Sequence, residues 1–168
     1  MTVPFTTPAA PAPAPAPSSA IDPAYLQQLQ CSRQWRGFLA ALGAEFASAL
    51  PQQDLFMLMA RVGMRFASAH PLAPSQTVEG LQAAMNQIWT AFDWGVVGLR
   101  QTQAGMEIWH RFSPLTAAFG EERGLWATGF LQGAYQQWLE AAGGTGLRVD
   151  VMAPADLLGS VHLRLVVA

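Results

Sequence analysis

Lysine is missing from this 168-residue chain, cysteine occurs once, and only 12% of the residues carry a charge. Each scarcity excludes something. The nine basic residues are all arginines, scattered from Arg33 to Arg164, and the net charge is −2. No stripe or cluster forms a phosphate-binding face, so nucleic acid is excluded as a partner. The lone Cys31 excludes an internal disulfide and any multi-cysteine metal site, and leaves no disulfide to report the compartment. No apolar run reaches the roughly 20 residues of a membrane span. The N-terminus has neither a basic stretch nor an apolar one, so no secretory signal is expected and the cytoplasm is the predicted compartment. The charge content is about half of the roughly 25% usual in soluble proteins. With 51% apolar residues, the chain has enough material for one core and more than one core hides. Self-association is the predicted outlet for the excess.

Residues 1–20 read as a disordered Pro/Ala-rich tail. Its run Pro8–Pro17 alternates mostly proline with alanine and favours polyproline II, about 3.1 Å per residue and so roughly 30 Å long. A passive spacer and a docking arm for an aromatic groove are the two readings. The folded part is predicted over 21–168 as a single α+β domain. Asp22-Pro23 supplies a helix start, and a first helix runs to about Leu50 with Trp35, Phe38, Leu39, Leu42 and Phe46 on one face. A second helix covers about 52–69, with Leu55, Leu58, Met59, Val62 and Phe66 as its stripe, and ends at His70-Pro71. A third starts near Ser75 and aligns Val78, Leu81, Met85, Ile88, Trp89 and Phe92. The period then changes. Trp94–Thr102 and Met106–Phe112 read as a hairpin, with Met106, Ile108, His110 and Phe112 on one face and Glu107, Trp109 and Arg111 on the other. A fourth helix is predicted over about 123–142, stopped by Gly143-Gly144-Thr145-Gly146. The strand pair Leu147–Val151 and Val161–Val167 closes the chain. Three helices, a hairpin, a helix and a strand pair predict a small, mostly antiparallel sheet with helices packed on it. No internal repeat is visible.

Reactive chemistry is sparse. His70, His110 and His162 lie far apart, and none has a partner at metal-ligand spacing. His70 is expected to cap the second helix, and His110 and His162 to face a polar surface or an interface. Cys31, read as helical, has no glycine-rich turn beside it and is expected to be a structural thiol. Glu121-Glu122 is the only close carboxylate pair, placed where a helix N-terminus favours negative charge. Nucleotide-binding and nucleophile-elbow motifs are absent. Gly129 and Gly133, one helical turn apart, predict close helix approach. The sequence thus assigns no catalytic, cofactor-binding or metal-ligating residue, and no enzyme activity. The six tryptophans remain: Trp35, Trp89, Trp94, Trp109, Trp126 and Trp138. Most are expected in the core, Trp35 and Trp89 because they lie in apolar stripes, with one or two at interfaces. A platform for sugar stacking is the other use of an exposed indole.

Three stretches resemble the family of the cellulose synthase D subunit, found in bacterial cellulose operons. They are Leu58-Met59-Ala60-Arg61-Val62-Gly63-Met64-Arg65-Phe66-Ala67; the join Ile88-Trp89-Thr90-Ala91-Phe92-Asp93-Trp94-Gly95-Val96-Val97-Gly98-Leu99; and Leu125-Trp126-Ala127 followed by Gly133, Tyr135, Trp138 and Leu139. The Asp-Trp-Gly join is the most specific. The resemblance implies an octamer built from dimers. Such an assembly is a non-catalytic scaffold for glucan export and fibril crystallisation, beside other subunits of the inner-membrane synthase complex. It implies contact with nascent glucan, but the Pro/Ala tail matches nothing in the family's glucan-contacting region, so no glucan-binding residue carries over. Both cytoplasmic and periplasmic placements have been argued for the family. A small module holding an apolar ligand between helices and sheet is the alternative the element order allows.

Overall fold

The computed structural model describes residues 26, 29–103 and 105–167. The Pro8–Pro17 run and the Asp22-Pro23 helix start lie outside them. Leu26 and Leu29 are helical, and after them come α1 over Arg33–Ala49, α2 over Gln52–Ala69 and α3 over Val78–Ala91. Strands β1 (Val96–Thr102) and β2 (Gly105–Arg111) form a hairpin. Helices α4 (Leu115–Phe119), α5 (Gly124–Ala127) and α6 (Gly129–Ala141) follow, and β3 (Leu147–Ala153) and β4 (Val161–Val167) finish the chain. The four strands lie in the order β1-β2-β4-β3, every pair antiparallel. The fold is α+β, as the periodicity predicts.

Several boundaries differ. The single first helix is interrupted: Cys31 and Ser32 are non-helical, and α1 begins at Arg33. Cys31 is therefore a buried residue of a bend, not of a helix. Ser32 takes an extended N-cap conformation, with φ −61° and ψ 144°. The third helix starts at Val78, later than Ser75, because the Thr77 side chain accepts the amide of Gly80 and so caps it. The fourth helix is in pieces. A short α4 that periodicity missed precedes a 3₁₀ turn at Glu121–Arg123, and α5 is set off from α6 at Thr128.

The core forms where α2 and α6 cross over the sheet. A Cβ on Gly133 would overlap the carbonyl oxygen of Ala60, one on Gly129 that of Phe56, and one on Gly63 that of Phe130. Absent side chains let the two backbones touch, as the Gly129 and Gly133 spacing predicts. Around this crossing Trp89, Trp126, Trp138 and Tyr135 are fully buried with Leu55, Met85, Ile108, Leu131 and Leu163. Phe66 stacks on Trp89 with centroids 5.5 Å apart and planes 6° apart. The Trp138 indole N–H donates to the carbonyls of Ala67 (3.2 Å) and His70 (2.9 Å), pinning α6 to the end of α2. His70 caps α2 as expected, its Nδ1 2.8 Å from the Phe66 carbonyl.

Both sheet edges are covered. On β1, the Asn86 side chain of α3 accepts the Val97 amide (2.7 Å) and donates to its carbonyl (2.8 Å), while Gln82 accepts the Leu99 amide (2.7 Å). On β3, Gln136 of α6 accepts the Val149 amide (2.8 Å) and donates to the Leu147 carbonyl (2.9 Å), and Gln132 donates to the Val149 carbonyl (3.0 Å). Four helical amide side chains thus occupy backbone groups that would otherwise recruit another strand.

Candidate functional site

The reactive side chains are placed apart. His110 is fully buried in the core, against the expectation of a polar surface or an interface. Its Nε2 lies 2.7 Å from the Trp94 carbonyl, which can only accept, so that nitrogen carries the proton. Its Nδ1 then accepts from the Tyr135 hydroxyl at 2.6 Å. The neutral ring has one donor and one acceptor, both satisfied. Burial pushes its pKa down to about 4, and burial raises that of Tyr135. The pair ties β2, α6 and the helix-to-strand join together. The reason His110 turns inward is register: it shares the inner face with Ile108. His162 sits on the opposite face of the sheet, and His70 at the end of α2. Glu121 and Glu122 are exposed in the 3₁₀ turn. Among the described residues, no group of three or more His, Cys, Asp or Glu side chains gathers where it could hold a metal ion.

One apolar surface outside the core lies at α1. Only Gly43 of this helix is buried. Gly43 lies against Phe119 and Trp126, and Phe46 packs on the core, so the C-terminal half of α1 is anchored. Nearer its N-terminus the helix turns two aromatic side chains outward. Trp35 is 55% exposed and Phe38 56%, and their rings meet edge to face at 5.9 Å. The expectation that Trp35 lies in the core is overturned. Apolar periodicity says which side chains share a face, but not that an element of the same chain covers it. Ser32, a helix-capping residue type inside the assumed continuous helix, was the available sign that α1 starts late and stands apart. Between α1 and the core runs a groove of about 570 Å³, whose walls include Leu29, Trp35, Val62, Phe92, Trp94 and Phe130. Leu29, Val62 and Phe92 are themselves exposed.

The outer face of the sheet is the second surface. Register aligns Arg100, Glu107, Arg164 and Asp150 in one row across all four strands. Arg100 donates to Glu107 at 2.7 Å, with Arg164 at 3.7 Å and His162 at 3.9 Å from the same carboxylate. The Arg100 hydrogen bond holds the Glu107 carboxyl below its ordinary range. In the adjoining row Gly98, Trp109 and His162 are neighbours, and the Trp109 and His162 rings stack 3.9 Å apart. The sequence places Glu107, Trp109 and Arg111 on one face, and so they lie. It does not reveal Gly98 opposite Trp109, because that needs the strand register.

Fold and surfaces together define a class of protein. It is a small α+β domain with covered sheet edges, an uncovered aromatic helix face and no helix among the described residues long and apolar enough to cross a membrane. The sequence matches the family model of the cellulose synthase D subunit over residues 21–165, and the chain belongs to that family. A similar protein is the cellulose synthase operon protein D of Komagataeibacter xylinus, 29% identical over 109 residues, which are 64% of this chain and 70% of that one. Membership connects the chain with cellulose synthesis, in an accessory subunit family.

Proposed function

We propose that the protein is a non-catalytic, oligomeric scaffold of a bacterial cellulose synthesis and secretion complex, organising glucan export and fibril crystallisation. The observation that carries this reading is the uncovered N-terminal half of α1. A face bearing Trp35 and Phe38, each more than half exposed, is costly in water and suits a second copy of the chain. The occupied sheet edges direct association to helix faces and away from strand addition. Closed association through such faces, an octamer built from dimers, removes the apolar excess that the composition shows. Other subunits of the synthase complex, at the cytoplasmic side of the inner membrane, are the further partners. The 1–20 tail, ahead of the 21–168 domain, acts in this reading as an arm between assemblies or toward the synthase.

Light scattering of the purified protein tests the proposal: a mass about eight times the monomer is expected, and a stable monomer at micromolar concentration contradicts it. Purified protein should neither polymerise nor cleave glucan. Replacing Glu121 and Glu122 by glutamine should leave cellulose yield in cells unchanged. Deleting residues 1–20 should leave the oligomer mass unchanged while cellulose becomes less ordered or less abundant.

The groove of about 570 Å³ beside α1 favours a second reading, a module that holds an apolar ligand. Lipid or pigment recovered by solvent extraction of the native protein distinguishes it from the scaffold.

A further inference from the structure

The outer sheet face contains a slot that neither the core nor α1 uses. Its back wall is Trp109, 39% exposed on the centre of β2. His162 covers one face of the indole, with the two planes 10° apart. The other face overlooks Gly98, its cross-strand partner on β1. A Cβ on Gly98 would have no heavy atom within 4 Å. That glycine answers no demand for a positive φ or a close backbone approach. Glycine inside a strand costs about 0.5–1 kcal/mol against a residue with a side chain, so the position stays empty at the expense of stability.

The flanks are polar and already fixed. The Trp109 indole N–H donates to Glu107 Oε2 at 3.3 Å, and Arg100 donates to the same oxygen at 2.7 Å. Arg111 lines the other side of the slot, whose volume is about 360 Å³. The slot lies on the outer face of the sheet, on the side away from the core, so a polymer can lie along it without threading.

An aromatic wall one ring wide, an empty floor and guanidinium donors on both sides match the chemistry of a pyranose. The C–H face of such a ring stacks on indole, and its equatorial hydroxyls reach the polar flanks. We propose that this face binds a β-linked glucan, with one glucose ring seated over Gly98 against Trp109 and between Arg100 and Arg111. The choice of glucose polymer rests on the cellulose reading above; the seat rests on the geometry.

The test is calorimetric titration of the full chain with cellotetraose, comparing wild type, Gly98→Val and Trp109→Ala. Gly98→Val fills the slot in open space on a strand where valine is favoured, so the fold is expected to persist. Measurable binding by wild type and at least tenfold weaker binding by both variants, with circular dichroism and solution mass unchanged, is the expected result. No heat from wild type at millimolar cellotetraose, or wild-type affinity in Gly98→Val, overturns the proposal. A drop in solution mass of both variants also overturns it, because a second copy then covers this face. A wild type that binds cellotetraose yet stays monomeric contradicts the scaffold and leaves the slot standing.

Discussion

The tryptophans of the core and the tryptophans of the surface come from similar sequence and meet opposite fates. Trp89 lies in the stripe of α3, stacked beside Phe66 and Trp94 and fully buried. Trp35 lies in an equally regular stripe on α1 and is 55% exposed. The difference is what each helix has to lean on. Helix α3 is bound to β1 through Asn86 and Gln82, whereas α1 touches the rest of the chain chiefly at its far end, around Gly43 and Phe46. Where the chain supplies a partner, the stripe becomes core. Where it does not, the same pattern stays exposed.

The sharpest way to break the inner half of this comparison is Gly133→Val. Its side chain would have to displace the Ala60 backbone, so the α2–α6 crossing must open. A loss of about 3 kcal/mol or more is expected in denaturant unfolding. Wild-type stability would show that the two backbones have room.

Gly95→Val strikes the join between α3 and β1. Gly95 has a φ of +88°, and a Cβ there would overlap the carbonyl oxygen of Arg111. The expected cost is about 1–3 kcal/mol, read as a lower melting midpoint. An unchanged midpoint would mean ordinary strand geometry at this position.

Acid should loosen the core before it affects the surface rows. His110 is depressed from an ordinary 6.5 to about 4, so between these values the unfolded chain binds a proton that the folded chain refuses. Stability from this group is complete above pH 6.5 and is lost as pH falls toward 4. Between pH 7 and 5 the loss should be about 2 kcal/mol in denaturant titrations. Glu107 and Asp150, both held below their ordinary values, add their own loss only at lower pH. A flat profile from pH 7 to 5 would contradict the buried neutral imidazole.

A smaller effect is expected at the sheet edge. Asn86→Ala frees the Val97 amide and carbonyl, at about 1–2 kcal/mol. It also uncovers a strand edge, so aggregation on heating should increase relative to wild type.

Much of this architecture was legible beforehand. Helical and strand periods gave the element order, and the glycine spacing at Gly129 and Gly133 announced the tight crossing. Alternation put His110 on the face of Ile108, but its full burial was not legible, because a histidine flanked by strand residues gives no sign of a buried hydroxyl and carbonyl waiting for it. Tyr135 lies 25 positions away and Trp94 lies 16 away, so only the folded register unites them. The uncovered half of α1 was equally hidden: apolar periodicity is the same whether the partner is intramolecular or another copy. For the same reason the slot over Gly98 waited for the pairing of β1 with β2.

In the proposed scaffold, the surface aromatics of α1 assemble copies of the chain while the core folds without them. Light scattering on the double variant Trp35→Ser and Phe38→Ser, beside wild type at equal concentration, tests it most directly. The expected result is a wild-type mass several times the monomer, and a variant reduced to a smaller species with an unchanged far-ultraviolet circular dichroism spectrum. A variant that keeps the full wild-type mass would contradict it.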